Sequence, residues 1–219
     1  MRLYLVTDHE GYTTTVQSVN RGMQQDSQQW GVGVTRTRIP HAQFPHFWTS
    51  HSLASFLYAA YLDVPKPLLW TGDGEAIAYI PPCTVECRRF TAMHTVPMRS
   101  FTATQRVHIA LRCALFVQVC TPAAAHWERW ARDWLSNEDR SWESAQAMAY
   151  GQAFLPFALR SAAEAATWAT APEGTEEHAR HRRRTAAAVL WTLRHSVFDI
   201  FGIFTDAVTA EPEGAYTHG

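Results

Sequence analysis

The chain has 219 residues and a formal net charge of -1, with 47% of its residues hydrophobic and 18% charged. That balance excludes an intrinsically disordered chain and a globally basic nucleic-acid binder, and the length suits one larger domain or two small ones. Nine Trp, eleven Phe and seven Tyr provide a core without staples, because each buried ring removes roughly 150–250 Å² from water. No stretch approaches the ~18 apolar residues of a membrane span. The opening "MRLYLVTDHEGY" lacks the apolar run and cleavage site of a secretory signal, so a cytoplasmic protein is expected. Its basic residues are nearly all Arg, with Lys66 the single Lys; this reads as genomic composition rather than anion recognition.

Up to about Arg99 the chain is rich in Thr, Val, Gly and Pro, and beyond it Ala, Trp and Arg dominate. The expected fold class is therefore α+β. A head over 1–100 holds a small, mostly antiparallel sheet with one or two helices, a bundle of about four helices spans 101–208, and 209–219 form a flexible tail. "RLYLVTD" alternates as a strand, "HEGY" carries turn chemistry, and "YTTTVQSV" offers a hairpin partner. "NRGMQQDSQQ" reads as loop and "WGVGVTRT" as extended chain. Its G-x-G lacks the third glycine and following helix of a dinucleotide fingerprint.

After the proline-broken "IPHAQFP", Phe47 to Trp70 predicts a strand end in "HFWT" and a helix from about His51 to Leu62, with Thr49 or Ser50 as its cap. "LLWTGDGEAIAYI" predicts a strand, a turn at "GDG" and another strand, and "TVECRRFTAMHTVPM" one or two more.

"TATQ" sets Thr102 three residues before Gln105, the spacing of a capping box. Val107, Ala110, Leu111, Ala114 and Leu115 form one apolar stripe and Ile109, Cys113, Phe116 and Cys120 another, which predicts a central, buried helix from Gln105 to Cys120. Thr121 and Pro122 end it and start the next. There Trp127, Trp130 and Trp134 recur on one face, as core or as an interaction surface. A helix from about Trp142 to Ala169 should be kinked or divided at Pro156. The last runs from about Glu176 to Asp206, with Val189, Leu190, Leu193, Val197, Ile200, Phe201 and Phe204 as its seam.

Candidate chemistry is sparse. Cys113 and Cys120 lie too far apart along one helix for a disulfide, whereas Cys83 and Cys87 approach each other across a turn or bulge, with a reduced pair expected. His41, His46 and His51 are spaced five apart across a broken loop, which does not converge three imidazoles. His178 and His181, with Glu177 beside them, lie one helical turn apart and lack a third ligand, so no metal site is expected. Arg180, Arg182, Arg183 and Arg184 are the one dense basic run, a solvated surface or a local nucleic-acid contact. Asp133, Glu138, Asp139 and Glu143 alternate with Arg129, Arg132 and Arg140, as expected of caps and surface ion pairs. No P-loop, H-E-x-x-H or G-x-S-x-G signature occurs.

In order, "LYLVTD", "FWTSHSLASFLYAAY" and "LLWTGDGEA" resemble the first strand, strand-helix unit and following strand of ADP-ribosyltransferase folds. The resemblance covers about eighty residues of the chain. It implies NAD as cofactor, Trp48 stacked near the nicotinamide, Thr49 or Ser50 holding the pocket, and Asp73 or Glu75 stabilising the sugar cation. Those enzymes carry a His or Arg on the first strand. Here the matching place is Leu5, with His9 four residues on, so the expectation is a fold kept without its chemistry.

The whole chain also resembles uncharacterised proteins of bacteria and their phages that join such a head to alanine-rich helices, through "TATQRVHIALRCAL" and "WERWARDWLSNEDRSWESA". The second half is distantly similar to helical proteins described as immunity proteins. The function expected is non-enzymatic binding of a protein partner, with an NAD-dependent transferase as the alternative and nucleic-acid binding as a weaker one.

Overall fold

In this computed structural model, residues 1–12, 29–37, 47–49, 62, 64, 66–80, 84–96, 100–117, 121–151, 155–195 and 199–210 are described. The fold class is α+β, as expected. The chain divides into two units, Met1–Ser100 and Phe101–Gly219, the first built on strands and the second on helices.

The described strands of the first unit are β1 (Arg2–Thr7), β2 (Thr35–Thr37), β3 (Phe47–Thr49), β4 (Leu68–Ile80) and β5 (Thr84–Val96), and all their pairings are antiparallel. β1 lies between β3 and β4. β5 pairs with β4 along its length and with β2 and β3 on its other edge, so β1, β4, β5 and β3 close into a ring. Alternation along "RLYLVT" turns Leu3 and Leu5 inward against Trp30, Trp70, Val85, Cys87, Phe90 and Ala92. Thr7 is buried too, and its hydroxyl accepts from Trp70 Nε1 at 2.9 Å. "WGVGVTRT" forms a turn closed by Val34 N donating to Gly31 O, with Gly33 at φ 81°, before joining β5 as β2.

The expected turn at "GDG" is corrected: Gly72, Asp73 and Gly74 run inside the single strand β4. The two glycines are there for close approach rather than reversal. A Cβ on Gly72 would overlap Thr91 O of β5, and one on Gly74 would overlap Leu3 Cδ1 of β1. Register shifts along β4 and β5 absorb the irregularity without breaking the hairpin.

The second unit contains α1 (Ala103–Ala114), α2 (Pro122–Leu135), α3 (Trp142–Tyr150), α4 (Phe157–Thr167), α5 (Glu176–His195) and α6 (Ile200–Ala210). Six described helices stand where about four were expected. Pro156 separates α3 from α4, as its missing donor dictates. Asp199 divides the expected last helix, because its carboxylate accepts from Gly202 N at 3.0 Å and starts α6. α6 runs to Ala210, two residues into the segment read as tail.

The capping box on α1 is present, with Thr102 Oγ1 accepting from Gln105 N and Gln105 Oε1 accepting from Thr102 N. α1 packs against α4, α5 and α6 and is buried around most of its circumference. It ends at Ala114 rather than Cys120, since the amides of Phe116 and Val117 switch to carbonyls three residues back, and Phe116 emerges into solvent. Thr121 caps α2 and Pro122 opens it.

The hairpin partner from residue 13 to 19, the loop from 20 to 28, the helix over 51–62 except the buried Leu62, His41, His46, His51, Cys83, Cys120 and the tail from 211 lie outside the described residues. Cys87 and Cys113 are buried, and burial pushes the Cys113 thiol far up.

Candidate functional site

The residues implied by the transferase resemblance fall on three strands. Trp48 and Thr49 belong to β3, where Trp48 is opposite Tyr4 and Thr84 and Thr49 is opposite Leu3. Ser50 lies outside the described residues. Asp73 and Glu75 are on β4, both exposed. Glu75 forms an ion pair with Arg88 at 3.3 Å, both side chains more than half exposed, whereas a carboxylate that stabilises a sugar cation works best with water excluded.

The arginine run is engaged within its own unit. Arg183 donates to Glu176 at 2.5 Å, and Arg184 is paired with Glu164 of α4. Arg180 stacks its guanidinium over Trp168 at 5.6 Å from the ring centroid, and the Arg182 charge bears on His178 and His181. A phosphate-tracking stripe needs charges turned outward together. Arg184 and Arg180 instead tie α5 to α4 and to the connection between them, while Arg183 pairs within α5.

Of the two readings for Trp127, Trp130 and Trp134, core or interaction surface, the structure has them in the core. They are 1%, 5% and 3% exposed and form the centre of a core with Val107, Leu111, Met148 and Leu159. Trp127 meets Trp130 edge to face at 6.1 Å.

The exposed aromatics lie elsewhere. On α3, Ala145, Met148 and Ala149 face the core, while Trp142, Gln146 and Tyr150, four residues apart, form an exposed stripe beside that face. Trp142 is 45% exposed, Tyr150 54%, and Phe157 at the start of α4 49%. The support beneath this face is built from polar contacts. Trp130 Nε1 donates to Ser144 Oγ at 3.1 Å, Ser141 Oγ caps α3, and Asp139 Oδ1 accepts from Ser141 N at 2.9 Å and Ser141 Oγ at 2.6 Å. Those hydrogen bonds hold the Asp139 carboxyl below its usual range. Arg140 donates to Trp134 O at 2.9 Å and lies over its ring at 4.3 Å. Asp139 and Arg140 are thus capping and bracing residues, and Trp142 and Tyr150 sit on a fixed scaffold.

Sequence periodicity gave no hint of the polar groups that α1, α4 and α5 bury. Gln105, His108, Ser161, Glu164, Thr167, His181, Thr185 and Thr192 are all at most 5% exposed. Thr167, Thr185 and Thr192 return their hydroxyl protons to carbonyls one turn back. Burial holds the His181 imidazole neutral, its pKa driven from 6.5 to about 3. The adjacent His178 is lowered by the same cause. Among the described residues no group of three or more His, Cys, Asp and Glu is placed to hold a metal ion, and no helix is long and apolar enough to cross a membrane.

In comparisons with known proteins, the chain matches no protein-family model, no curated protein and no solved structure.

Proposed function

We propose that the chain is a non-enzymatic accessory protein that binds another protein in the cytoplasm, in the phage-host or toxin-immunity setting its resemblances imply. The observation that carries this reading is the outer face of α3, where Trp142 and Tyr150 stand in solvent on a braced helix with Phe157 at the start of the next. Exposed Trp and Tyr on a rigid support are the side chains that most often dominate protein interfaces, because they bury much area for little lost rotamer freedom.

The test is affinity capture from host lysate with the wild-type chain and with a Trp142→Ala/Tyr150→Ala variant. A protein retained by the first and lost by the second supports the reading, and identical retention contradicts it. The NAD-dependent reading of the head has Asp73 and Glu75 in solvent against it. A calorimetric titration with NAD, repeated on Trp48→Ala, separates the two: saturable heat lost in the variant favours the transferase.

A further inference from the structure

Tryptophans elsewhere in this chain take a guanidinium over the ring. Arg36 lies over Trp30 at 4.3 Å, Arg140 over Trp134 at 4.3 Å and Arg180 over Trp168 at 5.6 Å from the ring centroids. Among the described residues none lies over the exposed Trp142. Trp142 and Tyr150 are eight residues apart, about 12 Å along the α3 axis, with Gln146 and Ala147 exposed between them. Glu143 belongs to the same exposed arc, about 20° round the helix from Tyr150.

The charge along this stripe is negative. Glu138 and Asp139 lie in the turn before α3 and Glu143 in its first turn, and α3 itself carries no basic residue. Hydrogen bonds from Ser141 keep the Asp139 carboxylate ionised. Neither Glu138 nor Glu143 has an ion-pair partner among the described residues. The neighbouring arginines are engaged elsewhere: Arg132 with Glu128, Arg140 with Trp134, and Arg160 beside Glu164. Arg129, exposed on α2, is the remaining arginine of this region, against the carboxylates of Asp133, Glu138, Asp139 and Glu143.

That charge sorts the possible occupants. A nucleic acid or an anionic lipid surface is repelled. A second copy docked through the same stripe would set like carboxylates against one another. A guanidinium suits both components, since its face covers an indole or phenol ring while its edge donates to a carboxylate.

We infer that the Trp142–Tyr150 stripe, edged by Glu138 and Glu143, docks a basic segment of a protein partner, an extended chain with two arginines four residues apart. Four residues of extended chain span about 13 Å, close to the axial separation of Trp142 and Tyr150. The inference gives the chemistry of the partner proposed above and rests on that reading.

The test titrates the full chain with the capped peptide Gly-Arg-Gly-Ser-Gly-Arg-Gly and with its twin in which citrulline replaces both arginines, keeping the shape without the charge. NMR at low salt follows the tryptophan indole signals. The arginine peptide should move the Trp142 signal and bind about tenfold more tightly than its twin. Glu138→Gln/Glu143→Gln, both at exposed positions, should weaken it about fivefold, and Trp142→Ala/Tyr150→Ala about tenfold or more. Equal binding of the two peptides, lost in Trp142→Ala/Tyr150→Ala, overturns the basic partner and leaves α3 a docking face. No saturable binding at millimolar arginine peptide, or binding that Trp142→Ala/Tyr150→Ala keeps, overturns the inference, and the lysate capture then decides the broader reading separately. Adsorption to phosphatidylserine vesicles, or self-association in sedimentation, lost in the same variant assigns the stripe to lipid or to a second copy and overturns it as well.

Discussion

Glu164 of α4 and Arg184 of α5 form an ion pair in which only one partner has left water: the Glu164 side chain is 7% exposed and that of Arg184 37%. Burial raises the Glu164 pKa, while Arg184, Arg160 and Arg180 oppose the rise. Removing the two partners therefore has unequal effects. Arg184→Ala strands a buried carboxylate and should cost about 2 kcal/mol, since the two other arginines compensate in part. Glu164→Gln keeps the shape, removes the buried charge and should cost about 1 kcal/mol. Urea unfolding of the two variants measures the difference.

Stability should fall with acid from the side of the histidines. The unfolded His181 binds its proton at 6.5 and the folded one at about 3. Between those values the unfolded chain holds more protons, so the stabilisation is complete above 6.5 and is lost as pH falls toward 3. The slope is about 1.4 kcal/mol per pH unit from this group alone, and the lowered His178 adds to it in the same direction. Urea midpoints at pH 7.5 and 5.0 should differ strongly for the wild type and much less for His181→Gln.

The two glycines of β4 predict an ordered pair of effects. Gly72→Ala sets a methyl against the Thr91 backbone, which cannot move without shifting β5, and should cost about 3 kcal/mol or more. Gly74→Ala meets the end of the Leu3 side chain, which can turn aside, and should cost about 1 kcal/mol. Thermal unfolding of the two variants would show whether the order holds.

Tryptophans of similar sequence context should divide by burial. Trp127→Ala removes a ring that is 1% exposed and should cost about 3–5 kcal/mol. Trp142→Ala removes one that is 45% exposed and should cost under about 0.5 kcal/mol. Denaturation of both variants, with near-UV circular dichroism of the core, checks this.

What the sequence made legible was local. Thr102 with Gln105, Thr121 with Pro122, and Pro156 each act through their own backbone, so their caps and breaks are readable without tertiary context. Asp199 was an equally local signal, masked by the apolar seam on either side of it. "GDG" failed for a different reason: glycine serves both turns and close packing, and only the neighbours Thr91 and Leu3 distinguish them. The site followed the same division. Periodicity put Trp127, Trp130 and Trp134 on one face but did not say what the face meets, and it left Trp142 and Tyr150 inconspicuous in an alanine-rich run. The buried His181 was beyond reach, since its environment comes from Ala165, sixteen residues earlier on another helix.

The most direct test of partner binding is site-specific photo-crosslinking in host cells, with the crosslinking residue at Gln146 in the middle of the α3 outer face and, as a control, at the exposed Thr209 on α6. Protein binding through α3 predicts one dominant adduct from position 146 that disappears with Tyr150→Ala and is absent from position 209. Equal adducts from both positions, or none from 146 in a folded and expressed chain, would contradict it.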